Sequence, residues 1–155
     1  MRRFFVISLV IVAASIVALY YYSKHNNMEP NKKVIYTEKA PKPIGPYSQA
    51  ILRGNTLFVS GQVAIIPATG EADTSSIENE TKQVMENIKV IVEEAGMKMS
   101  DIVKTSIFLI DMGNFTRMNA VYAGYFPNNP PARETIQVSA LPKKVNVEIS
   151  VIAIK

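Results

Sequence analysis

Hydrophobic positions change their spacing several times along this chain, and the changes divide it into elements. From Phe4 to Tyr22 the run is apolar for nineteen residues, broken only by Ser8 and Ser15. As a helix it would span about 28 Å, close to the thickness of a bilayer core. Arg2 and Arg3 precede it, and Phe4-Phe5 and Tyr20-Tyr21-Tyr22 would fall near the two interfaces. Residues 1–22 read as an uncleaved signal anchor or a cleaved signal peptide. The length of the run, and the lack of an A-x-A site behind it, favour the anchor. The polar stretch 23–33, SKHNNMEPNKK, reads as a linker. The expectation is a domain over 34–155, membrane-anchored on the extracytoplasmic (periplasmic) side, or secreted if the leader is cut.

Within the domain the pattern alternates between strand and helix periods. Val34-Ile35-Tyr36 reads as a short strand, and the prolines between Lys39 and Pro46 as a rigid loop. Tyr47 to Arg53 and Thr56 to Val63 read as strands joined at Gly54-Asn55. Ser75 and Glu78 form a capping-box pattern. Behind them Ile77, Val84, Met85, Ile88, Ile91, Val92 and Ala95 recur at helical spacing up to Gly96, which predicts a helix over 76–95. Ile102 to Ile110 reads as a central strand. Asn114 can cap a second helix with Phe115, Met118, Tyr122 and Tyr125 on one face, ended by Pro127. Ala132 to Val138 and Val145 to Ile154 are the last strands.

The order β-β-β-α-β-α-β-β predicts an α+β fold with two helices packed on one face of a mixed sheet. The other face then needs cover. In the last strand Val145, Val147, Ile149, Val151 and Ala153 share one side, and Asn146, Glu148, Ser150, Ile152 and Ile154 the other. That second side is partly apolar, and a domain this small has no element left to lie over it. A homo-oligomer is the expected answer.

Charge changes the picture by its location. The net charge is +4, but five of the 17 Lys and Arg lie before residue 34, against one of the 13 acidic residues. From Val34 onward the counts are equal, so the footprint of a nucleic-acid binder is missing and no nucleic-acid partner is expected. There is no cysteine, and the only histidine is His25. Thiolate nucleophiles, Ser-His-Asp triads in the domain and Cys/His zinc sites are excluded. The glycines are scattered, so no phosphate loop forms; no metal and no organic cofactor are expected. What remains is Arg133 and Glu148, each on a stretch that reads as a strand. An arginine grips a carboxylate through two parallel hydrogen bonds, and a carboxylate near it can orient a water or take its proton.

Five segments, Ile44-Gly45-Pro46-Tyr47-Ser48-Gln49, Val59-Ser60-Gly61-Gln62, Asp101-Ile102-Val103-Lys104-Thr105, Pro131-Ala132-Arg133 and Val147-Glu148-Ile149, occur in this order. Together they resemble the Rid (YjgF-type) enamine/imine deaminases from about Val34 to Lys155. The resemblance implies a chorismate-mutase-like fold and a homotrimer with a cleft at each subunit interface. It also implies hydrolysis of 2-enamino or 2-imino acids, such as 2-aminoacrylate, to 2-keto acids and ammonia. Arg133 would hold the substrate carboxylate and Glu148 would position the attacking water, with Tyr47, Ser60, Gly61 and Asn119 lining the cleft. Two positions depart from the pattern. Glu134 stands where a small or apolar residue is usual, and Thr135 where some members have cysteine. The alternative is a non-catalytic ligand-binding or protein-protective module on the same trimeric fold; a ribonuclease is disfavoured by the neutral domain without histidine.

Overall fold

The computed structural model describes residues 14–22 and 32–155. They fall into two compact units, one ending at Asn31 and the other running from Lys32 to Lys155. In the first, α1 covers residues 14–22. The rest of the apolar run, 4–13, and most of the expected linker, 23–31, lie outside the described residues. Among the described residues no helix is long and apolar enough to cross a membrane. The expected membrane anchor and the extracytoplasmic placement built on it are therefore withdrawn.

The second unit is one six-stranded mixed sheet with helices on one side. Its strands are β1 (Lys33–Ile35), β2 (Ala50–Arg53), β3 (Thr56–Gln62), β4 (Ile102–Leu109), β5 (Ala132–Gln137) and β6 (Val147–Ile154), in the spatial order β1-β2-β3-β6-β4-β5. All neighbours are antiparallel except β4 and β5. That parallel pair needs a crossover, and α3 (Phe115–Ala123) supplies it. The longer helix α2 (Ile77–Glu94) connects β3 to β4. Lys33, expected in the linker, already pairs with Leu52.

The core forms where the two periods meet. Val84, Met85, Ile88, Ile91 and Val92 of α2 and Met118 of α3 are fully buried. They pack against Leu57, Ile107, Leu109, Val147, Ile149 and Ala153 of the sheet. The predicted alternation of β6 holds from Val147 to Ala153 and fails before it. Val145 joins a separate small cluster with Val63 and Ile65. Asn146 turns to α2, where its amide groups donate to the buried Glu80 carboxylate, the backbone N–H at 2.7 Å. The α2 cap is also one residue later than expected: Ser76 accepts from the Asn79 N–H at 3.2 Å, while Ser75 bonds Asp73. Helix α3 stops at Ala123, before Pro127.

Candidate functional site

The loop before β2 is set by one buried side chain. Gln49, 1% exposed, accepts from Thr37 N–H at 2.7 Å. Its Nε2 donates to the carbonyls of Thr37 at 3.0 Å and Pro41 at 2.9 Å. A single amide thus satisfies backbone groups of a proline-rich segment that has no strand partner. Ser60 on β3 ties down the other end of the loop, donating from Oγ to Ser48 C=O at 2.7 Å. The Tyr47 hydroxyl accepts from Ile44 N–H at 3.2 Å. Tyr47 was expected inside a strand; the strand starts at Ala50, and the tyrosine ring stands in the loop, 44% exposed.

Glu148 faces this loop. A pocket of about 350 Å³ is lined by Ile44, Gly45, Tyr47, Ser60, Gly61, Val63, Pro142 and Glu148. The β3–β6 register is irregular between Val59 and Gln62, as at a bulge, and this is where Gly61 meets Glu148. A Cβ placed on Gly61 would lie 2.7 Å from the Glu148 carboxyl carbon, inside van der Waals contact. Glycine allows this close approach; a Cβ there would push the Glu148 side chain aside. Burial pushes the Glu148 carboxyl above its ordinary value. No hydrogen bond among the described residues ties that carboxylate down, so it is free to bond a water or substrate.

Arg133 belongs to a different pocket. Its NH1 donates to Asn119 Oδ1 at 2.7 Å, and its guanidinium carbon lies 4.9 Å from the Tyr122 ring centroid and 5.7 Å from that of Phe115. The guanidinium plane is thus held on two rings of α3 without being neutralised. Among the described residues no carboxylate forms an ion pair with it. Tyr122 in turn bonds Thr105 at 2.8 Å. Burial raises the Tyr122 phenol, while the Thr105 hydrogen bond and the Arg133 charge pull it back. Asn119, Tyr122, Ala123, Phe126, Pro130, Pro131 and Arg133 line a pocket of about 470 Å³.

The six expected residues therefore gather into two groups: Tyr47, Ser60, Gly61 and Glu148 in one, Asn119 and Arg133 in the other. The groups do not meet within one protomer. Strands β5 and β6, adjacent in sequence, are separated by β4. Arg133 is level with Thr105 and Val151, on the side packed by helices; Glu148 is level with Phe108, on the open side. Two strand spacings and three residues of register put their Cα atoms roughly 14 Å apart. Sequence reading also missed Gln49, Glu80 and the ring pair beneath Arg133. Phe115 and Tyr122 are legible as the inner face of a helix, but nothing in their spacing says that an arginine from a later strand will cross them.

Glu134 points away from Arg133, as strand alternation requires, and is level with Ser106 on the open side. Thr135 is level with Ile107, and its hydroxyl is buried without a hydrogen-bond partner among the described residues.

Residues 37–155 match the family model described as endoribonuclease L-PSP. A RutC family protein of Pyrococcus horikoshii is 54% identical over 124 residues, which cover 80% of this chain and 98% of that one. The chloroplastic Reactive Intermediate Deaminase A of Arabidopsis thaliana is 47% identical, over 79% of this chain and 65% of that one. Among solved structures, E. coli TdcF with bound serine superposes with a TM-score of 0.77 at 38% identity, over 80% of this chain and 99% of that one. These matches take up nearly the whole length of the RutC relative and of TdcF, so no counterpart of the apolar leader falls within the shared region. By sequence and by fold, the chain belongs to the endoribonuclease L-PSP family, which includes the RutC and Rid proteins.

Proposed function

We propose that residues 34–155 form a hydrolase for 2-enamino and 2-imino acids, such as 2-aminoacrylate and its imine tautomer. The chain would act as a homotrimer, with each cleft built from two copies. The observation that carries this reading is the separation of the groups: an unpaired arginine on an aromatic bed at one sheet edge, and an untethered, half-buried carboxylate on the opposite face. Either alone is an incomplete site, and a second copy supplies what each lacks. The name of the deaminase relative, 47% identical, supports a deaminase-like activity. The substrate class rests on the chemistry of the residues.

In such a cleft Arg133 takes the substrate carboxylate on the guanidinium edge that Asn119 leaves free. Tyr47, Ser60 and Gly61 shape the wall beside the C=N carbon. Glu148 holds a water against that carbon, takes one of its protons as the C–O bond forms and delivers that proton to the imine nitrogen. The resulting carbinolamine breaks its C–N bond. Glu148 then takes the hydroxyl proton and returns it to the departing nitrogen, so the oxygen becomes the ketone and ammonia leaves. One water is consumed for each keto acid and ammonia formed. The raised Glu148 carboxyl suits a group that must both accept and return a proton. Ribonuclease chemistry, which the family description names, has less to work with, since 34–155 contains no histidine and carries balanced charge.

The test is release of keto acid or ammonia from an enzymatically generated 2-imino acid, with the full chain, Arg133→Ala and Glu148→Gln. Acceleration by the full chain and its loss in both variants is expected. A full chain that releases product no faster than buffer would overturn the reading in favour of a binding module.

A further inference from the structure

Apart from Glu148, the open side of the sheet carries a polar island whose residues belong to neither pocket. Glu134 on β5 accepts a hydrogen bond from Ser106 Oγ at 2.6 Å and from Lys104 Nζ at 3.3 Å. Ser106 is flanked by Glu134 on one side and Ser150 on the other, so three strands contribute. The Ser106 hydrogen bond first, and Lys104 second, hold the Glu134 carboxyl below its ordinary range, so it is charged at neutral pH. Around the island the face is apolar. Phe58 and Ile136 are each 48% exposed and Ile154 is 44% exposed, with Phe108 and Ile152 half-buried between them.

Two observations say what covers this face. The opposite side of the sheet is already filled by α2 and α3, so the domain has no element of its own left for the open side. Glu148 opens onto this face, whereas Arg133 stands at the β5 edge. For the two to meet, the β5 edge of one copy must come against the open face of another. Glu134 follows Arg133 on β5 and points to the open side, which places it at that seam.

We propose that Glu134, Lys104 and Ser106 form a polar cluster enclosed between copies of this chain, where it fixes the register in which the copies meet. The inference rests on the trimeric reading above. An ion pair left in solvent contributes little, and its loss goes unnoticed. The same pair shut between apolar surfaces behaves otherwise. Removing one partner strands a buried charge, while replacing both with apolar residues of similar volume relieves the penalty. One polar contact in an apolar interface also penalises every register in which it is unmet. Glu134, unexplained as a site residue, acquires a role in assembly.

The experiment is a double-mutant cycle in the full chain, with Lys104→Met, Glu134→Leu and the pair together. The concentration at which the trimer dissociates is read by analytical ultracentrifugation. Each single variant is expected to raise that midpoint by about tenfold or more, and the double variant to bring it back to within a few-fold of the parent. Deaminase activity should fall in the singles at concentrations where the parent is assembled, although Arg133 and Glu148 are intact. If a leucine or methionine variant does not fold, Glu134→Gln, which removes the charge and keeps the shape, takes its place in the same measurement. Singles that leave the midpoint unchanged, or a double no better than the sum of the singles, overturn the inference while the trimer stands. A parent chain that sediments as a monomer overturns the trimeric reading itself.

Discussion

Arg133 and Glu148 are opposites in how the fold treats them. Arg133 is fixed by Asn119 at 2.7 Å and by two rings, and its charge is left unspent. Replacing it by lysine removes the planar fork, so Arg133→Lys should lower kcat/KM by about tenfold or more in steady-state assays. Glu148 is fixed by nothing but the absence of a side chain at Gly61. Gly61→Ala should leave the fold in place, since the glutamate can swing aside, yet depress kcat by moving the carboxylate; unchanged turnover would show that its position does not matter. Burial raises the Glu148 carboxyl above its ordinary value of 4.5, which it recovers when the chain unfolds. Between the two values the folded form binds the proton more, so stability falls as pH rises through that window. The cost of the buried charge is absent well below 4.5 and grows as the pH rises above it. Glu148→Gln should therefore raise Tm at neutral pH, with the gain closing at about pH 4 in parallel thermal melts. A gain that is the same at both values would show that burial of the charge is not its source.

Elements in this domain are placed by a few buried polar groups as much as by apolar faces. Gln49 binds the segment from Thr37 to Pro41 and so carries the loop that presents Tyr47. Gln49→Leu keeps the volume but orphans several backbone groups, and should cost about 3 kcal/mol or more in urea denaturation. The helix boundaries follow capping chemistry. Ser76→Ala should cost about 1 kcal/mol, and more than Ser75→Ala, because Ser76 is the residue that receives the Asn79 N–H. The two serines could not be told apart from the sequence, where Ser75 with Glu78 matched the capping-box spacing better. The structure uses Glu78 otherwise, in a two-pronged contact with Arg117 of α3 at 2.7 and 2.8 Å.

For the whole molecule the question is whether the two pockets are halves of one site. If they are, Arg133→Ala and Glu148→Gln should each be inactive alone, yet regain activity when dissociated, mixed and reassembled. Random mixing leaves about a quarter of the interfaces with both groups intact. Failure of mixed trimers to recover any activity would mean that both residues serve the same subunit's site, against their placement on opposite sides of the sheet.

Much of this could be read from the chain because hydrophobic periodicity is a local property. The order of strands and helices, the inward sides of α2 and β6, the hairpin at Gly54, with φ 60, and the outward turn of Glu134 all follow from spacing and turn chemistry. The residues of the candidate site were named through the resemblance to the Rid family, with Arg133 and Glu148 also singled out by their chemistry. Tertiary structure alone decided how they group. The insertion of β4 between β5 and β6 depends on pairing residues far apart in sequence, and it sets two strands that are neighbours in sequence two spacings apart, while the register decides which faces Arg133 and Glu148 take. The 15 residues from Arg133 to Glu148 say nothing about an intervening strand. The route of Asn146 to Glu80 and the bed of rings beneath Arg133 are likewise long-range contacts with no local signature. Local patterning determines what each segment becomes; only the closed sheet determines which side chains can share a site.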